Sequence, residues 1–112
     1  MDHQERLPDW PPPPDETIGP DRARAYIAWI RDHAPPALRE ARELIKSRYP
    51  GSAIETSAVT VEQLASWSFK PPMQGLSIGV VSASVSGGAW AMVDIVITAD
   101  GRLEARPGWN MR

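Results

Sequence analysis

Asp94 is the residue of this sequence whose surroundings come nearest to those of a catalytic group. It stands in the apolar run 89–97, among Trp90, Met92, Val93, Ile95 and Val96. Burial there would raise a carboxyl pKa and could make a general base. The strand register argued below sets Arg106 opposite Asp94, and that pairing explains a charge on an apolar strand without catalysis. His3 and His33 have no second histidine or carboxylate at metal-ligand spacing. His33 closes a predicted helix, where a cation is favourable for the dipole alone.

The chain has no cysteine, which removes disulfides, thiolate zinc sites and thiol nucleophiles together. The glycines at 75, 79, 87 and 88 do not form a phosphate loop between a strand and a helix. The serines at 77, 82, 84 and 86 lie in or beside a strand with no nucleophile elbow around them. These residues define no catalytic set, no cofactor site and no metal site.

The elements that must position Asp94 can be read from the spacing. An arm, residues 1–19, precedes a single α+β domain over residues 20–112. Within residues 1–21, Asp2, Glu5, Asp9, Asp15, Glu16 and Asp21 face a single base, Arg6, and Pro8 and Pro11 to Pro14 keep the segment stiff and extended. Leu7, Trp10 and Ile18 are its apolar anchors, so it should lie against the domain with its acids near the helix arginines. The spacing Pro8-x-x-Pro11 also fits a polyproline ligand, a motif common by chance.

Ala23, Ile27, Ile30 and Ala34 recur at helical spacing and predict a first helix over 21–33, begun near Pro20 and ended by Pro35 and Pro36. Leu38, Ala41, Leu44 and Ile45 predict a second over 36–49, closed by Pro50-Gly51. Residues 52–57 could form a short strand. Thr60 and Gln63 have the spacing of a capping box and predict a short third helix over 60–67, with a strand over 66–69 as the rival.

The C-terminal half reads as a three-stranded antiparallel meander. Gly87-Gly88 predicts a two-residue hairpin, which sets Val80 opposite Ile95 and Ile78 opposite Ile97. At the next turn a three-residue loop with Gly101 left-handed sets Ile97 against Leu103 and Ile95 against Ala105. That register leaves Val81, Ala83, Val85, Trp90, Met92 and Val96 on a second face, with Asp94 opposite Arg106.

Two functions fit. The first is a non-enzymatic protein-binding domain, such as an inhibitor or immunity-type protein that blocks a partner. Tryptophan is enriched at binding hot spots, and five in 112 residues is a high content. The partner-binding candidates are therefore Trp10, Val85, Trp90, Met92, Val96 and Trp109. The alternative is a small-ligand or enzymatic pocket domain of the cystatin-like or NTF2-like kind, by analogy of architecture alone, using Asp94.

The expected partner is another protein, with a second copy of the chain as the other choice. Residues 22–50 carry seven bases against three acids, but the signs alternate along the second helix and the whole chain is −2, which argues against nucleic acid. The longest apolar run is too short to span a bilayer and the first residues do not form a signal peptide, so the cytoplasm is the expected location.

Overall fold

Proline begins both long helices. The computed structural model, which describes residues 6–68, 75–108 and 111, forms α1 over Pro20–His33 and α2 over Pro35–Arg48. Each has proline in its first turn, where the missing N–H would have no intrahelical acceptor. Ala34 serves both helices: its N–H closes α1 on the Ile30 carbonyl at 2.7 Å, and its carbonyl accepts from Leu38 of α2 at 2.9 Å. The corner is consequently tight. Alanines at 23, 37 and 41 are buried with Tyr26 and Ile45 on the inward stripes, and their small size lets the backbones approach.

Residues 52–57 yield a fourth strand. β1 (Ile54–Ala58) is followed by α3 (Val61–Ala65), β2 (Gly75–Ser84), β3 (Trp90–Thr98) and β4 (Leu103–Pro107). The sheet is antiparallel throughout with order β1-β2-β3-β4, so the three-stranded meander is extended by one edge strand. α3 carries the anticipated capping box. The Thr60 hydroxyl accepts from the Gln63 N–H at 3.1 Å, and the Gln63 side chain accepts from the Thr60 N–H at 2.9 Å. Ser68 bridges to Thr17 of the arm.

The first hairpin corrects the predicted register. Its turn takes three residues, Ser86–Gly88, closed by the Val85 N–H on the Ala89 carbonyl at 3.0 Å, with Gly87 and Gly88 at φ of 82° and 78°. The extra residue slips β2 by one against β3: Val80 faces Asp94, and Val81 faces Val93. A slip of one exchanges the two faces of a strand. Val81 and Ala83, expected on the outer face, are fully buried on the helix side, and Val80 lies outside.

A bulge between Ser77 and Gly79 then shifts the register again, so that Leu76 faces Ile97 while Ile78 is still buried. At the second turn Gly101 is left-handed at φ 84°, and Ile97/Leu103, Ile95/Ala105 and Asp94/Arg106 pair as the hydrophobic match requires.

The arm is part of the core. Leu7, Pro12 and Ile18 are buried, and the Leu7 N–H donates to the Gly101 carbonyl at 2.8 Å. Ile18 and Gly19 donate to the carbonyls of Trp67 and Ala65. It is not uniformly extended: Asp9 and Asp15 take positive φ, a conformation aspartate tolerates better than most residues, and the chain turns at both.

Candidate binding surface on the open sheet face

Among the described residues, helices cover one side of the sheet and leave the other open. Ala91, Val93, Ile95 and Ile97 of β3 point to that side and share one core cluster with Ala37, Ala41 and Ile45 of α2. The alternate residues form the open face, and the register lays it out in rows. Ser84 stands beside Trp90. Below it, Glu55, Ser82 and Met92 align across β1, β2 and β3, and then Ser57, Val80, Asp94 and Arg106 across all four strands. The last row holds Ser77, Val96 and Glu104.

Trp90 is 48% exposed and Met92 42%, the exposed large hydrophobic residues of the described chain. They are two residues apart on one strand, so their side chains are neighbours on one face. Around this apolar corner stand the carboxylates of Glu55, Asp94 and Glu104 and one guanidinium, Arg106. The face is mixed in polarity and acidic in balance.

Arg106 is held in place. Its Nε donates to Glu104 Oε2 at 2.5 Å, a partner two residues away on the same strand and therefore on the same face. The end of the side chain crosses β3 towards β2: a Cβ added at Gly75 would lie 2.8 Å from Nη1 and 3.4 Å from Cζ of Arg106. Crossing from beside Asp94 to Gly75, which pairs with Thr98, takes the side chain past Val96. Its aliphatic stem can cover apolar surface while the head stays polar, and Val96 is only 6% exposed although it belongs to the open face.

The other anticipated partner-binding residues are placed differently. Val85 packs against the helix-side core. Trp10 packs edge-on to Tyr26, with ring centroids 5.9 Å apart, and over Gly101, where an added Cβ would meet its Cδ1 at 3.1 Å. Its ring therefore serves the contact between arm and domain. Trp109 lies outside the described residues. The structure thus brings Trp90 and Met92 together with Val96 beneath Arg106, and separates Trp10 and Val85 from them.

Asp94 faces away from the helices, across from Arg106. Tyr26 and Asp100 have shifted acidity. Burial pushes the Tyr26 phenol up, against the pull of Arg22 and with the help of Asp9, whose carbonyl accepts from the hydroxyl at 3.3 Å. The Thr98 hydroxyl, donating to its carboxylate, holds Asp100 below the usual carboxylate range. Both groups stabilise folded contacts, of the arm and of the β3–β4 turn.

Among the described residues no group of three or more histidines, cysteines, aspartates and glutamates could hold a metal ion, and no helix is long and apolar enough to cross a membrane. No family model matches the sequence, and no characterised protein or solved structure matches it either.

Proposed function

We propose that this protein is a non-enzymatic binding domain that covers part of another protein with the open face of its sheet, as an inhibitor or immunity-type protein would. The observation that carries this reading is the pair Trp90 and Met92, nearly half exposed and adjacent on the face opposite the helices. Trp90 is the hot-spot candidate, because a large aromatic ring gains most when a partner excludes water from around it. The acids Glu55, Asp94 and Glu104 form the rim, so the matching surface should have an apolar pocket bordered by bases. Asp94 serves as a rim charge in this reading, rather than as a base within a pocket.

The test is capture from the native host with the intact protein and with Trp90→Ser, followed by calorimetry on any stoichiometric partner. Loss of at least about 30-fold in affinity with an unchanged fold is expected, since a hot-spot truncation costs about 2 kcal/mol or more. A partner that binds both forms equally well would refute the role of this face.

A further inference from the structure

The sheet has a second unsatisfied boundary, independent of the Trp90 face. Among the described residues, β1 pairs only with β2, so its outer edge presents free backbone groups. Residues 55–58 of β1 are exposed along their whole length, and the strand Ile-Glu-Thr-Ser-Ala has none of the prolines or lysines that commonly protect an edge. Beside it on the helix side lies an apolar groove of about 300 Å³, lined by Ile27, Ile30, Ala34, Leu38, Ala58 and Val59.

The groove and the edge share one geometry. Ile54, Thr56 and Ala58 point to the helix side, since they pair with the helix-side positions Ala83, Val81 and Gly79. Leu38 of α2 lines the groove beside Ala58, and one helical turn on, Arg42 Nη2 donates to Thr56 Oγ1 at 3.4 Å. Four helical residues rise about 6 Å and two strand residues span about 6.6 Å, so α2 runs antiparallel to β1 nearly in step. One more step of the same kind would bring Lys46, exposed on the next turn of α2, to about the level of Ile54. Arg31 also lines the groove. A strand laid against β1 would therefore meet an apolar pocket opposite Ala58 and then exposed Arg42 opposite Thr56, with exposed Lys46 one turn further along α2.

We infer that the β1 edge accepts an extended segment of another protein as a fifth strand, antiparallel to β1. Read from its N-terminal end, the segment carries an apolar residue, then two acidic residues at alternate positions. The apolar side chain fills the groove, while the acids face Arg42 and Lys46. Backbone pairing supplies the affinity and the alternate side chains the specificity. A second copy of this chain fits less well, because a two-fold axis at Thr56 would bring two Arg42 side chains together.

The probe is a labelled synthetic peptide, Thr-Ile-Thr-Glu-Thr-Glu-Thr, followed by fluorescence anisotropy and by amide hydrogen exchange of the whole protein. Saturable binding is expected, with slowed exchange in residues 54–58. Affinity should fall about fivefold with Arg42→Glu, whose effect is that of an exposed ion pair reversed, and about tenfold or more with Ala58→Arg, which fills the groove. Both positions are exposed, and circular dichroism checks that each variant folds. No binding up to about 1 mM peptide, or equal binding when lysines replace the glutamates, overturns the inference. A dimer in sedimentation that Ala58→Arg dissociates would assign the edge to a second copy and overturn it as well.

Discussion

Two glycines of β2 allow a controlled test of how β1 and Arg106 are held. A Cβ added at Gly79 would lie 2.8 Å from the Ser57 carbonyl oxygen and 3.7 Å from the Ala58 Cα. A Cβ added at Gly75 would also meet an atom at 2.8 Å, but that atom is Nη1 of Arg106, at the end of a flexible side chain. The overlap is the same and the cost should differ. At Gly79 the obstacle is paired backbone, which can move only by loosening β1 from β2. Overpacking of this kind costs about 1–3 kcal/mol, and the lower entropy of an unfolded alanine returns about 0.4–1 kcal/mol. With mid-range values Gly79→Ala should thus lose about 1.3 kcal/mol, while Gly75→Ala should stay within about 0.5 kcal/mol of the parent. Urea titration of the three proteins measures both differences, and hydrogen exchange should show faster exchange confined to β1 in Gly79→Ala. Equal losses in the two variants, or a Gly79→Ala protein as stable as the parent, would refute the account of β1 packing.

Other contacts give further tests. Thr60→Ala removes the acceptor for the Gln63 N–H and should cost about 1 kcal/mol by denaturant titration, with the loss concentrated in α3. Leu7→Ala opens a hole where the arm meets Gly101 and should cost about 2 kcal/mol or more; a free, undocked arm would make it neutral. Asp100 has a folded pKa below its unfolded value, so its stabilising contribution is complete above about pH 4 and disappears as pH falls through the lower folded pKa. The stability gap between the parent and Asp100→Asn should be constant near neutrality and close in acid.

The sequence displayed the second turn more clearly than the first for a physical reason. After Ala99-Asp100-Gly101 the strand alternates apolar and polar residues (Leu103, Glu104, Ala105, Arg106), and only one loop length matches Ile97 to Leu103. Around Gly87-Gly88 the residues of β2 do not alternate cleanly: Val80 and Val81 are adjacent, serines and alanines follow, and either face could be the buried one. The turn chemistry of Gly-Gly then suggested a two-residue loop where three are used. The bulge at Ser77/Gly79 was equally hidden, since both Leu76 and Ile78 are apolar and neither register strands them in water.

β1 was the least visible strand because four of its five residues are exposed and its partner is distant in sequence. Of the candidate site, Trp90, Met92 and the Asp94/Arg106 alignment were legible. The Glu104–Arg106 pair could have been found from its spacing of two on a strand. The passage of Arg106 over Val96 to Gly75 could not, because it depends on three strands at once.

The bond from Leu7 to Gly101 also constrains how the chain is made. Residues of the arm leave the ribosome early, but their acceptor and the floor beneath Trp10 belong to a turn synthesised much later, at about 5–20 residues per second. Until then Leu7, Trp10 and Ile18 have no complete surface to cover, and the helices that follow lack their sheet. Local helices can form early, whereas the arm must wait for contacts of nearly the greatest separation the chain contains. The arm, translated before the sheet it docks on, is thus among the last parts to dock, and a chain stalled before Gly101 would present Leu7, Trp10 and the prolines of the arm as an undocked tail open to chaperones and proteases.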